Sequence, residues 1–142
     1  MSGQRIAGVV LAAGSASRYG RPKQIETLAG GKTLVAAVVE TALTAGLWPV
    51  ILVVGCHADA VAAAVAGLPV TVVANAEWAT GQGSSVRAGV AALPADAPAA
   101  VFLLADQPFV QPATVRSLAD AYASGDADIV APTVGGRRGN PV

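Results

Sequence analysis

Apolar runs of strand length alternate with helix-length amphipathic stretches along this chain. That alternation restricts the fold more than any other feature. Arg5–Ala12 (RIAGVVLA) is apolar throughout after its first residue, the pattern of a strand buried on both faces. Lys32–Ala45 places Leu34, Val35, Val38, Val39, Ala42 and Leu43 at helical spacing, and Gly46 stops it. Trp48–Val54 reads as a second buried strand, Asp59–Ala66 as an Ala-rich helix before Gly67, and Pro69–Ala74 as a third strand. Ser84–Leu93 reads as a helix with Pro94 beyond it, and Ala99–Ala105 as a fourth strand. Pro112–Ala123 is a helix with Pro near its start, where the missing N–H is harmless. Asp128–Thr133 reads as a fifth strand. Alternation with short connections predicts an α/β domain of parallel βαβ units, doubly wound around a mostly parallel sheet.

The 142 residues suit one domain, residues 1–142. With 54% hydrophobic and 13% charged residues the chain is not intrinsically disordered. Its apolar segments, such as Ile6–Ala13, are too short to span a bilayer. The first of them ends in a Gly-rich basic loop rather than at a signal cleavage site. A soluble, cytoplasmic protein is expected. The single Cys excludes an internal disulfide framework and fits a reducing compartment. A formal net charge of +0 gives no general reason for binding nucleic acid or an anionic membrane.

The charge is divided unevenly. Residues 1–33 hold Arg5, Arg18, Arg21, Lys23 and Lys32 against Glu26, a net of +4, so residues 34–142 carry −4. The basic excess surrounds Leu11-Ala12-Ala13-Gly14-Ser15-Ala16-Ser17-Arg18-Tyr19-Gly20-Arg21-Pro22-Lys23-Gln24, directly after the first strand. Open α/β sheets bind ligands at the carboxyl ends of their strands. Small residues there let backbone N–H groups approach phosphates, and Arg18 and Lys23 can neutralise a polyphosphate. The dinucleotide fingerprint fails, because Ala16 stands where it needs glycine. Gly31-Lys32-Thr33 resembles the end of a Walker loop, but Glu26 stands at the position of the first glycine. Lys32-Thr33 is read as a helix start.

Asp106, in Leu103-Leu104-Ala105-Asp106-Gln107-Pro108, ends the fourth strand. A carboxylate facing a phosphate loop suits Mg²⁺ shared with phosphate oxygens. If the first and fourth strands are neighbours at a topological switch point, Gly14 and Asp106 flank one crevice. A third stretch, Asn75 to Ser85, follows the third strand and leads into a helix whose N-terminus offers free N–H groups. Ser84 or Ser85 is expected to cap that helix. Trp78 reads as an anchor that packs the loop, and Arg87 as the partner of an acid. Cys56-His57 lacks the further ligands of a zinc site, and no Ser-His-Asp arrangement surrounds the sole His.

Taken together, Leu11-Ala12-Ala13-Gly14, Ser17-Arg18, Gly20 and Lys23-Gln24 resemble the signature loop of the MobA-like nucleotidyltransferases. Asn75, Trp78, Gly81, Gly83-Ser84-Ser85, Asp106-Gln107-Pro108 and Gly139-Asn140-Pro141-Val142 follow in the order of the molybdenum cofactor cytidylyltransferase branch. The resemblance implies a Rossmann-like nucleotidyltransferase fold. It implies that Leu11, Ala12, Ala13 and Gly14 hold the nucleotide and that Arg18 and Lys23 bind the triphosphate. It places Asn75 and Ser84 near base and sugar, Mg²⁺ on Asp106, and Gly139, Asn140 and Pro141 on the acceptor side. Ala12-Ala13 stands where guanylyl-transferring relatives tend to carry a glycine, which leans towards CTP over GTP. The acceptor implied is a phosphorylated pterin, molybdopterin or its molybdenum-loaded form, with a molybdoenzyme as recipient. A second metal-binding acid belongs beyond Val142 in such enzymes, so the domain is expected to lack its C-terminal part here.

The implied reaction transfers CMP from CTP to the acceptor's terminal phosphate with release of pyrophosphate. A phosphate nucleophile is already ionised near neutral pH, which fits the lack of a nucleophile–base pair in the sequence. Two alternatives stay open: a non-catalytic chaperone that carries molybdenum cofactor, and a cytidylyltransferase acting on sugar or isoprenoid precursors.

Overall fold

The computed structural model describes residues 5–14, 17–18, 21–22, 25–125, 127–134 and 136–142. Its centre is a four-stranded parallel sheet made of β1 (Ala7–Ala12), β4 (Val50–Val54), β5 (Thr71–Ala74) and β6 (Ala100–Leu104). The spatial order is β5-β4-β1-β6. Every residue of β1 and β4 is buried, as their unbroken apolar sequences require. Two short antiparallel ladders lie outside this sheet: β2 (Ser17–Arg18) with β3 (Arg21–Pro22), and β7 (Thr133–Val134) with β8 (Arg137–Arg138).

Alternate residues of β1, β4 and β6 feed two cores. Val10, Ala12, Leu52, Val54, Val101 and Leu103 pack with α1 (Leu34–Thr44), α2 (Ala58–Ala64) and α4 (Pro112–Ser124) on one face. Val9, Leu11, Ile51 and Val53 pack with Val86 and Ala88 of α3 (Gln82–Ala91) on the other. The sheet is therefore doubly wound, as expected. Helix α3 sits close to the sheet because it presents Gly89: a Cβ there would lie 2.6 Å from Val9 Cγ1.

Local signals set most of the boundaries. Thr33 caps α1, its hydroxyl accepting from Ala36 N at 3.2 Å. Gly46 ends that helix in the left-handed region at φ 87°. Pro112 occupies the first turn of α4. Gly30 and Gly31 both have positive φ in a turn closed by a bridge between Thr27 and Thr33. Lys32 Nζ lies 2.6 Å from Glu40 Oε1. Gly31-Lys32-Thr33 is thus a turn and a helix start, as read, and not a phosphate loop.

Two expectations are corrected. Asp128–Thr133 is not a strand. Asp128, Ile129 and Val130 instead line a groove beside β6 and α4, and only Thr133–Val134 is extended, in the β7–β8 hairpin. The free edge of β6 is taken by Val142. Phe102 N donates to Val142 O at 2.7 Å and Val142 N donates to Phe102 O at 3.2 Å, the exchange of an antiparallel pair. The capping expectation also fails: α3 begins at Gln82 with Gly81 as its cap, and no side chain caps it. No helix of the described residues is long and apolar enough to cross a membrane.

Candidate functional site

The chain runs from β1 outward to β4 and β5, then returns to lay β6 on the other side of β1. That reversal opens a crevice at the carboxyl ends of β1 and β6. Leu11 is in register with Leu104, and Ala105 N donates to Leu11 O at 3.1 Å. Gly14 and Asp106 lie just beyond these positions, at the ends of adjacent strands, which is the neighbour relation the sequence called for. Both are exposed. An added Cβ at Gly14 would meet nothing within 4 Å among the described residues.

A cavity of ≈ 340 Å³ opens between the end of β1 and the start of α3. Leu11, Ala13 and Gly14 line it from β1, and Trp78, Ala79, Gly81, Gln82 and Ser85 line it from the loop and first turn of α3. Its described walls carry no charged side chain. The loop between β4 and α2 fastens the β1 end, with Cys56 N donating to Ala13 O at 3.2 Å. Trp78 is the loop anchor expected. It packs so tightly on Gly55 that a Cβ there would lie 2.5 Å from Trp78 Cβ.

Asn75, Ser84 and Ser85 are the buried polar side chains among the described residues. Asn75 N donates to Val54 O at 2.7 Å, which ties the end of β5 to β4. Asn75 Oδ1 accepts from Glu77 N at 2.9 Å, an Asx turn that starts the loop. Asn75 Nδ2 donates to Ser84 Oγ at 2.9 Å and to Ser85 Oγ at 3.0 Å. Ser84 Oγ in turn donates towards Glu77 O and Gly81 O, at 2.9 and 2.8 Å. Gly81 at φ 117° and ψ 171° has a backbone that glycine adopts readily. The polar groups of Asn75 and Ser84 are therefore spent on shaping the loop. Ser85, expected as a possible cap and as part of the Gly83-Ser84-Ser85 motif, is the serine that lines the cavity.

Asp106 lines a separate cavity of ≈ 590 Å³ with Glu26, Leu34, Gln107, Pro108 and Phe109. Its carboxylate has no hydrogen-bond or ion-pair partner among the described residues. Among those residues no group of three or more His, Cys, Asp and Glu could hold a metal alone. One free carboxylate still fits Mg²⁺, which takes one or two carboxylates and completes its shell with phosphate oxygens and water. Arg18 contributes backbone to the β2–β3 hairpin, while Lys23 lies outside the described residues. Gly139 N donates to Pro132 O at 2.9 Å, and the Asn140–Pro141 peptide leads into the Val142 pairing on β6. Arg87 has no acidic partner among the described residues, contrary to its expected pairing. Arg137 and Arg138 are exposed.

Sequence and structure comparisons show the family and agree with the fold. A family model described as the MobA-like NTP transferase domain matches residues 8–142. The chain belongs to this family. It is 38% identical over 120 residues to the nicotine blue oxidoreductase of Paenarthrobacter nicotinovorans, covering 84% of this chain and 58% of that protein. The crystal structure of Rv0371c from Mycobacterium tuberculosis H37Rv superposes with a TM-score of 0.75 at 37% identity, over 85% of this chain and 61% of that one. A manganese complex of Rv0371c gives 0.69 at 35% identity, over 84% and 60%. A nucleotidyl transferase from Methanothermobacter thermautotroptrophicus gives 0.74 at 34% identity, over 83% and 58%. The chain thus spans about three fifths of the length of these proteins.

Proposed function

We propose that this domain works in the cytoplasm as a nucleotidyltransferase that moves CMP from CTP to the terminal phosphate of a pterin acceptor. The acceptor in this reading is molybdopterin or molybdenum cofactor. The observation that carries it is the seam at Leu11 and Ala105. It puts a small-residue loop and a free carboxylate at the ends of adjacent strands, in a chain of the MobA-like family.

In this reading Leu11 to Gly14 receive the nucleotide, and Arg18 and Lys23 bind its phosphates. Asp106 would hold Mg²⁺, which when bound would neutralise charge on the phosphates. The manganese complex of the mycobacterial relative supports a divalent cation here. An oxygen of the acceptor phosphate attacks the α-phosphorus in line. The bond from the α-phosphorus to the bridging oxygen breaks, and pyrophosphate leaves with the electron pair. No base is needed, so the protein contributes positioning and charge stabilisation. Gly139, Asn140 and Pro141 face the acceptor.

A second reading, an oxidoreductase, is favoured by the name of the relative that is 38% identical. Mg²⁺-dependent pyrophosphate release separates the two. The full chain is incubated with CTP, GTP or ATP, with and without molybdenum cofactor. Release that needs both CTP and the cofactor is the expected result. No release from any pairing would defeat the transfer reading.

A further inference from the structure

Phe109 is the most open of the large apolar side chains on the described surface, at 79% exposure. A scattered exposed Leu or Val is ordinary, but an aromatic ring left in water forgoes a large packing contribution. Phe109 stands three residues after Asp106 and lines the same cavity of ≈ 590 Å³. Leu28, Leu34, Pro108 and Val110 supply its other apolar walls. Glu26 and Asp106 line it too, with no Lys, Arg or His among its described lining residues. Gln107 completes the loop side. Its backbone N–H donates to Leu104 O at 3.1 Å, but its carboxamide has no partner among the described residues.

This cavity shares no lining residue with the one at Gly14. The Gly14 cavity is walled by the first turn of α3, which packs on one face of the sheet. The Asp106 cavity is walled by Leu34, which opens α1, and by the loop that leads into α4, helices of the opposite face. Gly14 and Asp106 each stand just past the end of one of two paired strands. In-line displacement at phosphorus sets nucleophile and leaving group on opposite sides of the transferred group, so a donor and an acceptor entering from separate sides suit it.

The wall chemistry says which part of the acceptor fits. A cavity with two carboxylates and no cation repels phosphate and favours a neutral part that carries N–H groups. Apolar walls beside an open aromatic face suit a flat ring, which stacks offset on it. A free carboxamide offers the edge of such a ring both donors and an acceptor.

We propose that the Asp106 cavity receives the flat nitrogen heterocycle of the acceptor, with Phe109 stacked on the ring and Gln107 bonded to its edge. The proposal rests on the transfer reading above. It adds a place for the acceptor's ring, apart from the Gly139–Pro141 segment, and two residues that select for it.

Fluorescence titration of the full chain with free pterin, which carries no phosphate, tests it. CTP is kept saturating so that pterin does not report the Gly14 cavity. Phe109→Leu keeps apolar bulk and removes the ring, whereas Phe109→Trp keeps a ring face. Phe109→Leu is expected to raise the Kd for pterin roughly five- to tenfold, the loss of one stacking contact, while Phe109→Trp stays close to wild type. Calorimetry is expected to give the same Kd for CTP in all three proteins. Equal pterin affinity in wild type and Phe109→Leu would overturn the role of Phe109 and leave the transfer reading standing. An equal loss in both variants would overturn the stacking contact, and a matching loss of CTP affinity would overturn the assignment of the cavity. A wild type that binds CTP but not pterin would overturn the pterin acceptor on which the proposal rests.

Discussion

The backbone N–H of Ala105 donates to the carbonyl of Leu11 at 3.1 Å. This bond closes the seam where β6 returns to lie beside β1. Asp106 follows the donor by one residue, and Gly14 follows the acceptor by three. It continues the parallel pairing of β1 with β6, from Ala7 with Ala100 to Leu11 with Leu104, and that register sets these distant segments at the ends of adjacent strands.

Asp106→Asn tests chemistry separately from folding. The carboxylate is exposed and has no partner in the described structure, so its replacement is expected to change stability by less than about 0.5 kcal/mol. Turnover is expected to vanish. Thermal melting beside a pyrophosphate assay reads both effects.

Gly14→Ala separates the loop from the core. The new Cβ has open space around it, so melting is expected to stay within a degree or two of wild type, within about 0.5 kcal/mol. Because Gly14 lines the cavity, nucleotide affinity is expected to fall. Calorimetry on the folded variant measures it.

Gly89→Ala is expected to do the reverse of Gly14→Ala. Its Cβ would sit 2.6 Å from Val9 Cγ1 in the middle of the sheet, so α3 or Val9 must move. A loss of about 1–3 kcal/mol is expected from this overpacking, read by urea denaturation. An unchanged midpoint would show that α3 packs less closely than described.

Asn75→Ala removes two donors to buried hydroxyls and the acceptor for Glu77 N. A destabilisation of about 1–3 kcal/mol is expected, since buried partners lose their bonds. The same denaturation curve measures it. Lys32→Ala provides the contrast. Its pair with Glu40 is largely exposed, with side-chain exposures of 48% and 39%, so a change under about 1 kcal/mol is expected. Nucleotide affinity should not change, because Lys32 is not in a phosphate loop.

The sheet was legible because its strands are buried on both faces. A run such as Val50–Val54 has no polar residue to blur it, and Gly46, Gly67 and Pro112 punctuate the helices. The alternation pointed to parallel βαβ units but left the strand order open; the neighbouring of Gly14 and Asp106 was a condition of the reading, and the pairing of β1 with β6 meets it. Asp128–Thr133 misled because an apolar run of strand length can also pack as an irregular segment. Pairing depends on an open edge, and Val142 holds the edge of β6. The α3 boundary was missed for a related reason. Serines before a helix suggest a cap, but Gly81 reaches the required backbone geometry alone, and Ser84 bonds back to the loop. The division of labour between Ser84 and Ser85 could not be read from two identical neighbours; a helical step of one residue turns one towards the loop and the other towards the cavity.

The most direct test of the central claim is to follow the α-phosphate. Full-length protein is given Mg²⁺, CTP labelled at the α-phosphorus, and molybdenum cofactor, with Asp106→Asn in parallel. Label moving onto the pterin, with one pyrophosphate per transfer and none in the variant, is the expected result. Label that stays in CTP with the wild type, or that moves equally well with Asp106→Asn, would contradict it.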